Sequence, residues 1–452
     1  MSESLLANVG AASAKSAQPV CVALLGFGTV GSCFAEVVQT TASDRVRITH
    51  IFNRDVERKR RHGKATFVPA DAVWTERIED ILNDPQVQVV VELMGGLEPV
   101  EGWLTAALKA GKHVVTANKQ LIALRGPGLF ALAQQRGVQL LYGASVAGGV
   151  PVLPGIAQGL SGDRITRLSG IVNGTCNFIL SAMENGADYP EMLREAQRLG
   201  YAEADPSADV DGHDARAKLC ILARLALEAE MDPTDVPAQT ISKISAIDFA
   251  YARELGCTIR QVSRAQLEER RGKLPDAAAE SPSIRARVGP MLVPRNSPVA
   301  WSHGTQNMVV TSGQFGGDVV FSGHGAGGHA TAVAVLSDVL AIAGGSFPVQ
   351  RQAQHFTVSD DVLAPHYLRL IVDDKPGIIS AISGALAKFG VNIDSILQRR
   401  GYPANRLPFV VTTEPCLRST VDAAVAEMSS MDALVEPPLV LEILVVNDPD
   451  TD

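Results

Sequence analysis

The sequence predicts an α/β protein with three folded parts: an N-terminal doubly wound parallel sheet, a middle α+β part, and a C-terminal ferredoxin-like βαββαβ unit. Near the N-terminus, a strand-like apolar run is followed directly by a glycine-rich turn and a helical pattern. Strand and helix patterns then alternate to about residue 150, which is typical of a parallel sheet. The C-terminal patterns follow the order strand, helix, strand, strand, helix, strand.

Composition excludes several classes of partner. The chain has 452 residues and a formal net charge of −9, with no long basic run, so we expect no nucleic-acid partner. No apolar run is long enough to cross a bilayer, so we expect no membrane partner. The six cysteines are scattered without the spacing of a metal site. Reduced, mostly buried thiols in a cytoplasmic protein are therefore expected.

The patterns also suggest domain boundaries. The first residues are rich in serine and alanine and lack the apolar core of a signal peptide. We expect a disordered tail over 1–19, a Rossmann-type nucleotide-binding domain over 20–150, a substrate-binding and catalytic domain over 151–345, a linker over 346–365, and a regulatory domain over 366–447.

The glycine-rich turn reads Gly26-Phe27-Gly28-Thr29-Val30-Gly31. This spacing alone is weak evidence, but between a strand and a helix it predicts a dinucleotide site. The glycines permit a tight turn and close approach of a pyrophosphate, and the free N–H groups of the helix then face the phosphates.

The next strand, Val46–Phe52, ends in Asn53 and Arg54. A site selective for NAD would place a carboxylate here. Arg54 can instead pair with a 2′-phosphate, so the sequence favours NADP, with NAD tolerated. Arg54 as an ordinary surface arginine remains the alternative.

A strand over 112–116 ends in Thr116 and is followed by Ala117, Asn118 and Lys119. Open α/β sheets bind ligands at the carboxyl ends of their strands. We therefore expect Thr116 and Lys119 to contact cofactor or substrate, although a lysine at a turn can also be a plain surface residue. Helix 126–136 and strand 138–142 follow.

The middle part is organised around an acidic stretch over 200–218. Crowded carboxylates disfavour one another's ionisation, so a loop that keeps them often holds cations. Lys218 follows Asp214 by four residues, which places both on one face of the predicted helix 214–230. The stretch predicts either a site that grips an ammonium-bearing substrate while Lys218 moves a proton, or a solvated loop with one surface ion pair. The acidic residues of this stretch are Glu203, Asp205, Asp209, Asp211 and Asp214, and Glu195 lies just outside it.

Three other segments of the middle part can bind ligands. The small residues of 145–151 can present carbonyls to a hard cation or form a plain turn. Asn173, Gly174 and Thr175 open a predicted helix at Phe178 and can cap it or face a carboxylate. The glycine-rich loop 323–328 precedes a helix over 331–343, and its histidines are not expected to bind metal.

The remaining segments carry no catalytic cluster. A helix is expected over 240–255, and residues 264–282 are expected to form a surface excursion. The C-terminal unit suits a binding or sensing role, with the turn 373–377 between its first strand and helix.

Taken together and in order, these motifs resemble homoserine dehydrogenase with a C-terminal ACT domain. Each motif alone is common, whereas their joint order along nearly the whole chain from Val20 is specific. The resemblance rests on residues 26–31, 111–119, 145–151, 173–175, 199–206, 209–212, 214–218 and 325–328.

The resemblance implies NAD(P)-dependent interconversion of L-aspartate 4-semialdehyde and L-homoserine in threonine, methionine and isoleucine biosynthesis. It implies acid/base chemistry by Lys218, with Lys119 beside cofactor and substrate. It also implies feedback by threonine at the ACT domain and a homodimer or homotetramer. The resemblance implies substrate contacts by Glu203 and Asp214, and the candidate substrate residues also include Gly174, Thr175, Tyr201 and Asp209. It implies cofactor contacts by Phe27, Thr29, Val30, Lys119, Gly200 and Gly325, and the candidate cofactor residues also include Gly26, Gly28, Gly31, Arg54 and Thr116.

One position departs from the family pattern. The family's site for Na⁺ or K⁺ uses backbone carbonyls, which correspond here to Val146, Gly148 and Val150. A glutamate normally stands two residues before Ser145, but this chain has Gly143. The loss of a carboxylate should weaken cation binding.

Overall fold

The computed structural model describes residues 18–268, 282–347 and 352–445. The chain forms two compact units. The first extends to Thr116 and adds Gly128–Tyr142 and Val335–Phe347, and the second comprises Ala117–Pro127, Gly143–Ala334 and the described residues from 352 onward. Parts of four predicted segments lie outside the described residues: the tail at 1–17, the surface excursion at 269–281, the linker at 348–351 and the last domain at 446–447.

The first unit is built on a six-stranded sheet in the order β3-β2-β1-β4-β5-β6, and every neighbouring pair is parallel. This is the doubly wound order of dinucleotide-binding domains, so the predicted fold class is confirmed. The strands are β1 (Val20–Leu25), β2 (Val46–Phe52), β3 (Val73–Thr75), β4 (Val89–Glu92), β5 (His113–Thr116) and β6 (Leu140–Leu141). The helices are α1 (Thr29–Thr41), α2 (Val56–Arg60), α3 (Glu79–Leu82), α4 (Val100–Lys109) and α5 (Lys119–Arg136), and the residues of α5 up to Pro127 belong to the second unit.

Helix α5 begins earlier than predicted. The pattern predicted a helix over 126–136, whereas the helix starts at Lys119. The side chain of Asn118 accepts a hydrogen bond from the amide of Leu121 at 3.1 Å and so caps the first turn. Pro127 lies inside the helix between two glycines, a combination that usually marks a break and therefore concealed the first turns.

The second unit contains a ten-stranded sheet whose main path is β12-β11-β7-β9-β10-β20-β16-β18-β17, with β14 paired to β10. The strands of the second unit are β7 (Ile165–Ile171), β8 (Ala229–Glu230), β9 (Cys257–Leu267), β10 (Ser283–Pro294), β11 (Gln306–Gly313), β12 (Gly317–His324), β13 (Gln354–His355), β14 (Thr357–Ser359), β15 (Leu363–Ala364), β16 (His366–Val372), β17 (Ile393–Gln398), β18 (Leu407–Thr413), β19 (Cys416–Leu417) and β20 (Leu439–Ile443). Of these, β8 pairs with β13 and β15 with β19 in two separate two-stranded sheets. The helices of the second unit are α6 (Val152–Pro154), α7 (Gly174–Glu184), α8 (Tyr189–Arg198), α9 (Ser207–Val210), α10 (His213–Ala226), α11 (Ala246–Glu254), α12 (Gly328–Ala343), α13 (Ile378–Lys388) and α14 (Arg418–Met428), and the residues of α12 from Val335 belong to the first unit.

Four helices of this unit differ from their predicted bounds, and one of them, α12, begins at Gly328 rather than at residue 331. Helix α7 starts at Gly174 rather than Phe178, because Asn173 caps it by accepting from the amide of Cys176. The helix predicted over 214–230 ends at Ala226 and gives way to β8. The helix predicted over 240–255 begins only at Ala246, where Ser245 and Asp248 form a capping box.

The long antiparallel hairpin of β9 and β10 was largely missed. Residues 264–267, assigned to a surface excursion, continue β9, and Ala265 is fully buried. The strands pair over their whole length, from Cys257 opposite Pro294 to Leu267 opposite Ile284. The expected surface excursion is therefore wrong for the described part of that segment.

The C-terminal unit has the predicted βαββαβ order. Its four long strands form the antiparallel order β20-β16-β18-β17, and its helices α13 and α14 share an apolar core with them. Strand β20 also pairs with β10 in parallel, with Met291 opposite Glu442. The C-terminal sheet therefore continues the sheet of the middle part.

A buried ion pair fastens α11 to β16. Asp248 is fully buried and accepts hydrogen bonds from Arg369 and from the hydroxyl of Tyr367, the latter at 2.8 Å. Asp248 also accepts from the amide of Ser245 at 2.8 Å. Removing one partner of a buried pair leaves the other charge uncompensated, which costs more than the pair itself contributes.

The helices and the cysteines bear on the expectations about membrane partners and reduced thiols. Within the described residues, no helix combines the length and apolar content that crossing a membrane requires. All six cysteines carry free thiols; four are buried and two are half-buried.

Replacing Asp248 tests the buried pair. Asp248→Ala should lower the free energy of unfolding by about 3–5 kcal/mol, because Arg369 stays buried without its counter-charge. Urea unfolding followed by circular dichroism measures the change. The control is Glu427→Ala, which removes the exposed ion pair with Lys388 and should leave stability nearly unchanged. Equal losses in both variants would contradict this role of Asp248.

Candidate functional site

The glycine turn of the first unit has the shape of a phosphate cradle. Gly26 has a φ of +100°, which favours glycine. A Cβ on Gly31 would lie 2.1 Å from the carbonyl oxygen of Gly26, so only glycine lets α1 approach β1 this closely. No atom lies within 4 Å of the position of a Cβ on Gly28, and α1 has no acidic residue in its first turn. These features fit a pyrophosphate at the free N–H groups of α1.

The other predicted residues of this turn differ in how far they are buried. The Phe27 side chain is buried, and its ring packs edge-on against Trp74, with centroids 5.1 Å apart. Thr29 and Val30 form the first turn of α1, where they are exposed and half-buried. The side chain of Phe27 is thus part of the core.

Two predicted cofactor residues lie at other strand ends of the first unit. Arg54 follows β2, is exposed and precedes the basic helix α2. Thr116 ends β5 and is fully buried, and its hydroxyl donates to Glu92 at 2.6 Å. Arg54 is therefore accessible to a ligand, whereas the hydroxyl of Thr116 is bound to a neighbouring strand.

In the second unit, a carboxylate lies between two ammonium groups. Lys218 Nζ lies 2.8 Å from Asp214 Oδ2 and donates to the carbonyl oxygen of Val172 at 2.7 Å. Lys119 forms an ion pair with the other oxygen of Asp214. The side chain of Asp214 is 6% exposed, that of Lys218 12% and that of Lys119 43%. The predicted i,i+4 pair is therefore a buried cluster and not a surface ion pair.

Asn173 joins this cluster to a second carboxylate. Its side-chain amide donates to Asp209 Oδ1 at 2.7 Å and to Asp214 Oδ2 at 2.9 Å, while its oxygen caps α7. The sequence indicated Asn173 as a helix cap or as a group facing a ligand carboxylate. Its contacts with Asp209 and Asp214 depend on tertiary packing, which the local pattern does not contain.

The two carboxylates have opposite pKa shifts. Burial raises the pKa of Asp214, but the charges of Lys218 and Lys119 and their hydrogen bonds outweigh burial and hold it well below its usual value. Burial raises the pKa of Asp209, and the hydrogen bond from Asn173 offsets this only in part. Asp214 is therefore the permanent anion of the cluster.

The predicted substrate residues lie near this cluster to different degrees. Thr175 donates its hydroxyl to the carbonyl oxygen of Tyr201 at 2.7 Å, which joins the start of α7 to the acidic stretch. The ring of Tyr201 packs against Phe178 and stays exposed. The carboxylate of Glu203 is exposed and pairs with no charged group among the described residues. Gly200 has a φ of +76° at the turn after α8.

Gly174 marks a close approach at the start of α7. A Cβ there would lie 2.9 Å from the carbonyl oxygen of Thr305. The first turn of α7 is therefore fixed against the loop before β11.

The two glycine-rich loops of the second unit touch each other. A Cβ on Gly148 would lie 2.4 Å from the carbonyl oxygen of Gly325, and a Cβ on Gly325 would overlap the side chain of Asn307. Gly148 has a φ of +48°, and Val146 and Val150 are buried. A larger side chain at Gly148 would require the backbone at Gly325 to move, and one at Gly325 would require the side chain of Asn307 to move.

The oxygen ligands that the loop 145–151 offers to Na⁺ or K⁺ are all uncharged backbone carbonyls. The carbonyl oxygen of Val150 accepts from the amide of Val152 at 2.7 Å, which leaves one lone pair. Gly143 offers no carboxylate in the turn that precedes the loop. Backbone carbonyls suit a hard cation, so the residues fit Na⁺ or K⁺ with less charge compensation than a site that includes a glutamate.

The turn 373–377 of the C-terminal unit is exposed except at its start. Lys375 pairs with Asp373 at 2.7 Å, and the amide of Asp374 donates to the carbonyl oxygen of Ala404. Gly377 directly precedes α13 and has a φ of +94°. The turn therefore ends at a helix start, and its role as a ligand-side loop stays a prediction.

Comparisons with known proteins agree with these features. The family model described as "Homoserine dehydrogenase, NAD binding domain" matches residues 26–143, "Homoserine dehydrogenase" matches 151–340, and "ACT domain" matches 366–417. Homoserine dehydrogenase of Synechocystis is 36% identical over 444 residues, covering 94% of this chain and 99% of the relative. The Bacillus subtilis enzyme is 38% identical over 393 residues, covering 83% and 87%.

Solved structures agree as well. A homoserine dehydrogenase from Thiobacillus denitrificans has a TM-score of 0.84 at 33% identity, covering 94% of this chain and 98% of that one. A hyperthermophilic archaeal homoserine dehydrogenase in complex with NADPH has a TM-score of 0.60 at 25% identity, covering 74% and 100%. The chain therefore belongs to the homoserine dehydrogenase family, whose members are nicotinamide-dependent oxidoreductases acting on a CH–OH group, and it carries a C-terminal ACT domain.

Proposed function

We propose that Lys218 is the general acid and base in the interconversion of L-aspartate 4-semialdehyde and L-homoserine. The observation that supports this role is the buried cluster in which Asp214 and the carbonyl oxygen of Val172 fix the Lys218 amine. The bound nicotinamide supplies hydride to the aldehyde carbon or takes it up from the alcohol. Lys218 gives a proton to the aldehyde oxygen in reduction, and in oxidation its neutral amine accepts the proton of the hydroxyl.

The carboxylates orient the rest of the substrate. Asp214 stays ionised, and Glu203 is exposed, so both can hold the ammonium and hydroxyl ends of homoserine. The first turn of α7, with Gly174 and Thr175, offers free N–H groups to the substrate carboxylate. Tyr201 and Asp209 complete the site, and Lys119 lies beside Asp214.

The enzyme prefers NADP as its cofactor and tolerates NAD. The exposed guanidinium of Arg54 after β2 supports this preference, as does the basic helix α2 that follows it. A 2′-phosphate would form charge-assisted hydrogen bonds there. The other proposed cofactor contacts are Gly26, Phe27, Gly28, Thr29, Val30, Gly31, Thr116, Gly200 and Gly325.

Binding of Na⁺ or K⁺ at the carbonyls of Val146, Gly148 and Val150 is weak in this proposal. The site has no carboxylate at Gly143, so the cation keeps its full positive charge among neutral oxygens. Activity should therefore depend only slightly on the monovalent ion.

The ACT domain makes the enzyme responsive to threonine, the end product of one branch of the biosynthetic route that homoserine enters. A continuous path of contacts supports this proposal. The side chain of Gln239 donates to the carbonyl oxygen of Val440 in β20, and its amide donates to the carbonyl oxygen of Val288 in β10. A Cβ on Gly212, at the start of α10, would lie 3.2 Å from the Val288 side chain. Movement of β20 can thus reach the helix that carries Lys218.

The remaining proposals concern assembly and location. Exposed Phe315, Trp301 and Val320 lie on or beside β11 and β12 and suit contact with a second copy, in a homodimer or homotetramer. Free thiols throughout are consistent with a cytoplasmic enzyme. The division into a nucleotide-binding domain, a catalytic domain, a linker and an ACT domain stays a proposal, and residues 357–359 of the proposed linker pair with β10.

Replacing Lys218 tests the chemistry. Lys218→Ala should lower kcat for homoserine oxidation by about 10²–10⁴-fold, because the proton acceptor is lost, while NADPH still binds. Steady-state nicotinamide reduction and NADPH fluorescence titration measure the two effects. Lys243→Ala, which removes an exposed lysine, is the control and should leave kcat unchanged. Near-normal turnover without Lys218 would remove it from the mechanism.

Replacing Arg54 tests cofactor preference. Arg54→Ala should raise the Kd of NADPH about tenfold and leave that of NADH unchanged, since only the 2′-phosphate loses a charged partner. Fluorescence titration with both cofactors measures the ratio. Arg136→Ala, an exposed arginine at the end of α5, should change neither value. A parallel rise for both cofactors would refute selection by Arg54.

Threonine titration tests the ACT domain. Threonine should inhibit homoserine oxidation, and Gly377→Ala should raise its half-inhibitory concentration, because φ of +94° strains any other residue in the turn. The matched control is Gly390→Ala, which places similar strain at the other end of α13, where φ is +72°. Absence of threonine inhibition in the unmodified enzyme, or equal shifts in both variants, would contradict the proposal.

A further inference from the structure

A buried glutamate lies at the carboxyl end of β4, where the strand order of the first unit reverses. The strand reads Val-Val-Val-Glu, and all four residues are buried, with Glu92 fully so. Glu92 is paired with Leu25 at the end of β1 and with Thr116 at the end of β5. Ligands of doubly wound sheets bind in the crevice outside this point. A carboxylate is costly to bury, so its presence in an otherwise apolar strand calls for a cause.

Both oxygens of Glu92 are used by neutral donors. Oε1 accepts from the amides of Met94 at 2.7 Å and Gly95 at 2.9 Å, and Oε2 accepts from the hydroxyl of Thr116 at 2.6 Å. No lysine or arginine in the described part of the chain pairs with Glu92. The carboxylate therefore acts as a hydrogen-bond acceptor that holds the turn following its own strand.

That turn lies against the first glycine of the phosphate cradle. A Cβ on Gly26 would lie 3.1 Å from the carbonyl oxygen of Leu93 and 2.8 Å from Cγ of Met94. The amide of Leu93 also donates to the carbonyl oxygen of Leu25 at 2.9 Å. Gly95 has a φ of +75°, so the chain reverses sharply at the end of the turn. The position of residues 93–95 thus limits the space beside Gly26.

We infer that Glu92 is a positioning residue for the nicotinamide cofactor, holding residues 93–95 against Gly26 at the ligand edge of the sheet. It touches no reacting atom. Through Thr116 it also joins the end of β4 to the end of β5. Without the carboxylate of Glu92, the amides of Met94 and Gly95 form hydrogen bonds with water instead. Residues 93–95 then no longer hold a single conformation before the cofactor binds.

The experiment compares binding of NADPH to the full-length enzyme and three variants by fluorescence titration. Glu92→Ala should raise the Kd of NADPH by about tenfold, as expected when charge-assisted hydrogen bonds that preorganise a turn are lost. Glu92→Gln keeps an acceptor oxygen for both amides and should restore Kd to within about threefold of the parent. At saturating cofactor, the KM for homoserine should change less than about twofold in either variant.

The matched control is Val91→Ala, which weakens the same strand by removing buried apolar atoms without touching the turn. It should lower the melting temperature and leave the Kd of NADPH unchanged. In the enzyme without cofactor, amide hydrogen exchange at Met94 and Gly95 should accelerate in Glu92→Ala and not in Val91→Ala.

Three results would overturn the inference. They are an unchanged Kd in folded Glu92→Ala, an equal rise in Val91→Ala, and a Glu92→Gln variant as weak as Glu92→Ala. If Glu92→Ala fails to fold, Glu92→Asp decides, since its shorter side chain withdraws the carboxylate from the amides of Met94 and Gly95. A rise in Kd of about threefold supports the role of Glu92, and an unchanged Kd refutes it.

Discussion

The burial of the Asp214 carboxylate is the constraint on which the catalytic unit depends. A carboxylate taken out of water without partners costs several kcal/mol, so every group around it must be placed to compensate it. Lys218 comes from the next turn of α10, Lys119 from the start of α5, and Asn173 from the start of α7. The carbonyl oxygen of Val172, just after β7, holds the second hydrogen bond of Lys218. Four elements are thus oriented by one buried charge.

Sequence patterns predicted the parts of the fold in which local periodicity and tertiary burial agree. The first sheet and the C-terminal unit follow simple apolar runs with glycine-marked turns, and their strands were predicted within a few residues except for β3, which was not predicted. The β9–β10 hairpin breaks this agreement, because its buried positions include Arg260, Arg264 and Arg287. Their charges are compensated by Glu184 and Glu442, which lie far away in the sequence. Arg264 was therefore assigned to an exposed segment, although its side chain is buried.

The same limit applies to the site. The spacing of Asp214 and Lys218 was visible in the sequence because four residues make one helical turn. Lys119 was indicated by its place at a strand end, but its pairing with Asp214 joins distant segments. The hydrogen bonds of Asn173 to two carboxylates likewise require α7 and α10 to be packed side by side. Residue types and spacing thus suggested the chemistry, whereas the ion pairs and hydrogen bonds between distant segments are seen only in the packed structure.

Burial alone does not separate functional from structural charges in this chain. Asp248 and Asp214 are both buried aspartates with hydrogen-bonded cations, yet their partners differ in accessibility. Arg369 is itself buried, and the remaining acceptors of Asp248 are filled by Tyr367 and a helix cap, so nothing can be exchanged with solvent. Lys119 is 43% exposed, so water and small molecules can reach the outer side of the Asp214 ion pair. A substrate ammonium can replace a partly exposed lysine at a permanent anion, whereas it has no route to Asp248. The exposure of the partner, more than the burial of the carboxylate, therefore distinguishes Asp214 from Asp248 and supports the proposal that Asp214 meets a ligand.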